Sequence, residues 1–144
     1  MKRLLGLAAA LICLVSCFDD QGLIVTPPSS LTSHQWYTTE TDSTGSEYIC
    51  LWDFTLAKNS ICFVYFDSLS GMRTIPQYTY SSKNILPYVC HKRGNTWILT
   101  VDDGADTDYY ISDIRSTTAQ VSSLDGYSNE LTLCTFKVSP ICTD

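Results

Sequence analysis

Tyr48-Ile49-Cys50-Leu51-Trp52-Asp53-Phe54-Thr55-Leu56 is the stretch that decides the fold of this chain. Side chains of a β-strand point alternately to its two faces, and here Tyr48, Cys50, Trp52, Phe54 and Leu56 alternate with Ile49, Leu51, Asp53 and Thr55. The larger aromatic groups therefore share one face. Lys58-Asn59 supplies a turn, and Ile61 to Phe66 returns as a second strand. A two-residue turn sets Phe54 opposite Phe63 and Trp52 opposite Tyr65, an aromatic cluster across one hairpin. In that register Cys50 faces with Trp52 and Cys62 faces away, which argues against a bridge between these two thiols.

Outward from this hairpin, runs of strand character recur at regular spacing: Thr74 to Ser81, Ile85 to His91, Thr96 to Val101, Tyr109 to Arg115, Thr118 to Leu124 and Glu130 to Val138. Gly71, Ser82-Lys83-Asn84, Arg93-Gly94-Asn95, Asp102-Asp103-Gly104 and Asp125-Gly126 punctuate them with turn chemistry. No segment beyond the N-terminal leader sustains a helical period. With one more strand around Trp36, the expectation is an all-β fold: an antiparallel up-and-down meander of about eight strands that closes into a barrel and so avoids exposed edges. At that strand number the interior is filled by side chains or is just wide enough for one small ligand.

The N-terminus reads differently. Lys2 and Arg3 form a positive start, Leu4 to Val15 an apolar run, and Leu14-Val15-Ser16-Cys17 follows the pattern of a bacterial lipobox. The run is shorter than the roughly 20 apolar residues a spanning helix needs and stops at Phe18-Asp19-Asp20. The expected organisation is a lipoprotein signal peptide over 1–16, the lipidated Cys17 with a flexible tether over 17–33, and the barrel over 34–144. Pro27-Pro28-Ser29-Ser30 keeps the tether extended. Diacylation of the Cys17 thiol and acylation of the new amine, by chains such as palmitate, make a stable anchor where one chain is marginal. A plain secretory signal is the alternative, and both put the protein outside the cytoplasm.

Composition narrows the partners. The chain of 144 residues carries a formal charge of −6, and loss of Lys2 and Arg3 with the leader takes the mature part to −8. Nucleic acid and anionic headgroups need basic patches that this sequence lacks. The mature length suits one domain with one core. Once Cys13 leaves and Cys17 is lipidated, Cys50, Cys62, Cys90, Cys134 and Cys142 remain, an odd number that leaves at least one thiol unpaired within the chain. Oxidising surroundings favour one or two disulfides, with Cys142 on the tail after Pro140 placed to clip the C-terminus to a strand at Cys90 or Cys134. The alternative is that several are buried small hydrophobes.

Chemistry-bearing motifs are sparse. No cysteines pair at zinc-finger spacing, and His34 and His91 stand alone. His91 beside Lys92 and Arg93 reads as a turn residue rather than a general base, and no serine sits in a nucleophile elbow. The cluster Asp102, Asp103, Asp106 and Asp108 offers oxygen ligands for calcium but lacks the full calcium-loop spacing and its terminal glutamate, so a solvated hairpin loop is the favoured reading. Neither catalytic residue, metal nor cofactor is expected.

Leu31 with Trp36, the strand Tyr48 to Leu56, Tyr78-Thr79-Tyr80, Trp97-Ile98-Leu99 and Leu131-Thr132-Leu133 together resemble the small lipocalin-like lipoproteins of Bacteroidota, over roughly residues 31–138. His34-Gln35 stand where members often carry a glycine before the first tryptophan. The resemblance implies a lipid-anchored meander barrel in the outer membrane, with small-molecule binding and no catalysis. Asp19 and Asp20 partly resemble a signal for export to the cell surface. Two functions follow. In one, the barrel takes a small apolar or amphipathic ligand lined by Trp36, Trp52, Trp97, Tyr65 and Tyr78, although core filling is the favoured role of Trp52 and Trp97. In the other, exposed Tyr, Ser and Thr meet a protein partner or glycan.

Overall fold

The computed structural model describes residues 23–144, so the leader, Cys17 and the start of the tether lie outside the described residues. Along the chain come β1 (Leu23–Ile24), α1 (Ser29–Thr32), β2 (Gln35–Thr41), β3 (Glu47–Asp53), β4 (Ser60–Phe66), α2 (Leu69–Thr74) and β5 (Gln77–Tyr80). A 3-10 turn (Ser82–Asn84) leads to β6 (Leu86–Arg93), β7 (Thr96–Val101), β8 (Thr107–Ser112), β9 (Thr118–Ser122), β10 (Ser128–Leu133) and β11 (Ser139–Cys142).

Eight strands, β2-β3-β4-β6-β7-β8-β9-β10, form an antiparallel up-and-down barrel in which β10 returns to β2. Closure runs through Thr132↔Tyr37 and Leu133↔Trp36 and continues in the bond from Cys134 N to the Gln35 carbonyl, 2.9 Å. The all-β meander expected from the strand spacing is the fold observed.

The register of the first hairpin differs by two residues. Trp52 lies opposite Phe63 and Cys50 opposite Tyr65, because β3 ends at Asp53 and the connection runs through residues 54–59. Asp53 sets this end: its Oδ1 accepts from Thr55 N at 2.8 Å and from Thr55 Oγ1 at 2.6 Å, so the chain turns before Phe54 can pair. A shift of two preserves the faces. Cys50 and Trp52 belong to the barrel core while Cys62 faces the other way, as the alternation predicts.

The candidate strand Thr74–Ser81 does not enter the barrel. Its first residue closes α2, Pro76 has no N–H to give a ladder, and the remaining four-residue β5 pairs in parallel with β11 outside the barrel wall, Gln77↔Ser139 to Tyr80↔Cys142. This pair and α2 cover the outer face of β3, so both faces of that strand are buried. The helix is too short for any periodicity to reveal it, and is started by Ser68, whose Oγ accepts from Gly71 N at 3.0 Å.

Residues 23–33, placed in the tether by composition, are folded onto the barrel. β6 meets β4 only at Ser60↔Pro87 and Ile61↔Leu86, and β1 takes up β6 further along through Ile24↔His91 and Leu23↔Lys92. Leu31 is fully buried in the barrel core, and its carbonyl accepts Trp36 Nε1 at 2.8 Å. Two cores result. The inner one is built on Leu31, Trp36, Trp52, Leu99, Ile111 and Leu131, the outer one on Ile49, Leu51, Cys62, Met72, Tyr78 and Val138.

Candidate functional site

β3 carries Tyr48, Cys50 and Trp52 into one end of the barrel at every second position, and β4 answers with Phe63 and Tyr65. There the side chains leave a cavity of about 240 Å³. Cys50, Trp52 and Phe63 form its floor, and Tyr48, Tyr65, Tyr109 and Tyr127 its walls. Glu40, Thr107, Ser123 and Asp125 make the polar rim, supplied by β2, β8 and the β9–β10 connection. Trp52 meets Phe63 edge-on at 4.8 Å between centroids and Tyr109 at 5.0 Å, geometry that aromatic quadrupoles favour.

The rim is pre-arranged. Glu40 Oε1 accepts from Thr38 Oγ1 and from Tyr127 OH, each at 2.6 Å. Asp125 Oδ1 accepts from the Ser123 hydroxyl and from Tyr127 N, and these bonds hold its carboxyl below the usual carboxylate range. The Tyr109 hydroxyl is pushed up by burial first, with the acidic groups around it adding to the shift. Burial, with Glu40 behind it, pushes the Cys50 thiol to about 12, which removes it as a nucleophile near neutral pH. On the floor, Trp52 is 2% exposed and its Nε1 has no hydrogen-bond partner among the described residues.

The five aromatics expected to line a ligand separate. Trp52 and Tyr65 line the cavity, with Tyr65 67% exposed at its mouth. Trp36 is fully buried in the core and hydrogen-bonded to Leu31. Trp97 packs against the core with Lys92 Nζ 4.5 Å from its ring centroid. Tyr78 lies in the outer core, outside the barrel, where its hydroxyl donates to Asp53 Oδ2 at 2.8 Å. Sequence reading missed Glu40, Tyr109, Asp125 and Tyr127. Alternation marks Tyr109 as sharing a face with Ile111, but only barrel closure shows which strands meet at one mouth. A second hollow, about 500 Å³, lies at the other end of β3 between residues 26–33 and the β3–β4 connection. It is framed mainly by loop residues, and no carboxylate lines it.

The acidic run serves its own hairpin. Asp103 accepts from Ala105 N, Thr107 N and Thr107 Oγ1, while Asp108 Oδ1 accepts from Thr100 Oγ1 at 2.6 Å. Among the described residues no three His, Cys, Asp or Glu side chains are grouped to hold a metal. Cys50, Cys62, Cys90, Cys134 and Cys142 are all free thiols, the first three buried. The expected C-terminal clip is made by the β5–β11 ladder instead of by Cys142, whose Sγ donates to Asp144. His91 pairs within β6 opposite Ile24 and Ile98 and is not at a turn. No helix of the described residues is long and apolar enough to cross a membrane. Compared with protein-family models, curated proteins and solved structures, the chain finds no match.

Proposed function

We propose that this protein is a non-catalytic, lipid-anchored envelope protein of lipocalin-like type whose barrel binds a small molecule at the cavity over Trp52. The observation that carries the reading is that cavity, with its aromatic walls and a few convergent polar groups. The closed eight-strand barrel is consistent with it, since this is the size at which an interior has room for one small ligand. The anchor is Cys17, through the lipobox, in the outer membrane and facing its surface or the periplasm. The second reading, a surface that meets a protein or glycan, draws on Leu124, 82% exposed beside the cavity mouth, and on Tyr65.

The test is native mass spectrometry of the full-chain protein purified from membranes in detergent. A bound small molecule that leaves on denaturation supports the cavity reading, with the acyl mass located on Cys17. A bare protein mass, together with tryptophan emission unmoved by small aromatic, apolar and charged probes, overturns it in favour of the surface.

A further inference from the structure

We infer that the ligand of this cavity is an organic cation, a small ammonium head group held between the tyrosine walls and the carboxylates of Glu40 and Asp125. The inference rests on the cavity reading above and adds the chemical class.

Charge decides the sign of the ligand. The ionisable side chains of the rim are both acidic, and no lysine or arginine lines the cavity among the described residues. Glu40 spends Oε1 on Thr38 and Tyr127, and Asp125 spends Oδ1 on Ser123 and Tyr127. An anion entering here meets like charge beside aromatic rings, and a neutral chain leaves the half-buried Glu40 carboxylate without a counter-charge. A cation neutralises both carboxylates and meets the negative faces of the rings, an attraction that strengthens as water is excluded. Elsewhere the protein puts its own cations against aromatic rings, Lys92 on Trp97 at 4.5 Å and Arg73 on Phe136 at 5.7 Å.

Size decides the shape. At about 240 Å³ the cavity is below the ~300 Å³ at which pockets begin to take drug-sized ligands. It accommodates a head group and excludes a folded acyl chain. Any apolar remainder of the ligand lies outside, against the exposed Tyr65 at the mouth.

The test is calorimetric titration of the full-chain protein with choline, with benzyltrimethylammonium, and with the carbon isostere of choline in which the nitrogen is replaced by carbon. Tryptophan emission is read in parallel. The cations are expected to bind about tenfold or more tightly than the neutral isostere, the difference expected of a desolvated cation–π site. Glu40→Gln keeps an acceptor for Tyr127, and Asp125→Asn lies on an exposed turn, so both variants fold. Each is expected to weaken the cations several-fold and leave the isostere unchanged. Equal binding of cation and isostere overturns the cation and leaves the cavity standing. Cation binding that neither variant weakens also overturns the inference. Binding of neither overturns it too, and if native mass spectrometry also shows a bare protein, the cavity reading falls with it.

Discussion

The inner and outer cores of this protein treat polar groups in opposite ways. In the outer core Asp53 is completely buried and every oxygen of its carboxylate is used: Oδ1 by Thr55 N and Oγ1, Oδ2 by Gln35 Nε2 at 2.6 Å and Tyr78 OH at 2.8 Å. Gln35 completes the arrangement by treating Val138 as a strand neighbour, giving Nε2 to its carbonyl at 2.7 Å and taking its N–H on Oε1 at 2.9 Å. One buried network thus binds β2, β3, β5 and the C-terminal tail. In the inner core, by contrast, polar groups gather around a hollow. A buried carboxylate with all its bonds made holds a fold together, whereas polar groups around a hollow are placed to meet something that arrives from outside.

Breaking the outer network has the largest expected effect. Asp53→Ala strands Gln35, Tyr78 and Thr55 at once and is expected to lower stability by about 3 kcal/mol, the scale for removing one member of a buried charge-assisted network. Urea unfolding measures it, and a loss under about 1 kcal/mol would show the network to be incidental. If the two cores are independent, the variant at low temperature keeps the affinity of the cavity.

The paired tryptophans give a finer comparison. Trp36→Phe loses volume from a fully buried site and leaves the Leu31 carbonyl without its donor, for an expected cost of about 2 kcal/mol. Trp52→Phe removes an N–H that has no partner from a site already beside a cavity, for an expected cost of about 1 kcal/mol or less. The same variant should impair ligand binding. Equal costs for the two, measured by denaturation, would remove the distinction drawn between core and floor.

The smallest effect is silent at neutral pH. Burial pushes Tyr88 up to about 12, and pushes Tyr78 and Tyr127 up further with the help of hydrogen bonds to Asp53 and Glu40. In the folded state these groups hold protons that the unfolded chain releases near pH 10. Their contribution is therefore complete below that pH and is lost as pH rises through the folded values. Phenolate absorbance is expected to rise in two stages, exposed tyrosines first and the buried ones only with loss of structure. Tyr78→Phe should reduce this alkaline sensitivity more than Tyr88→Phe, because Tyr78 has the larger upward displacement. A single reversible titration of all tyrosines near pH 10 would contradict the burial described.

How much could be read from the residues follows the same division. The period of two in Tyr48 to Leu56 was enough to assign the strand, its two faces and the separation of Cys50 from Cys62, because alternation is a property of local backbone geometry. The turn residues were enough to find the strands that form the barrel, in order, but they also put Thr74–Ser81 into the meander and marked neither β1 nor β11. The two-residue error in the hairpin came from Asp53, whose hydrogen bonds to Thr55 end the strand early, a choice that looks like ordinary alternation in sequence. Residues 23–33 look like a linker because Pro and Ser dominate them, yet Leu31 alone is enough to anchor the arm once a core exists to receive it.

By itself, then, the sequence determined the barrel strands, the all-β meander and the alternation of faces in the first hairpin, since each depends on neighbours a few residues apart. It also carries Leu14-Val15-Ser16-Cys17, from which the proposal of a lipid anchor is drawn as from any linear signal. Tertiary structure alone decided that β5 leaves the barrel for β11, that Asp53 finds Gln35 and Tyr78, and that Glu40, Tyr109 and Asp125 meet around Trp52. These contacts join positions tens of residues apart, and closure of the sheet is what places them together.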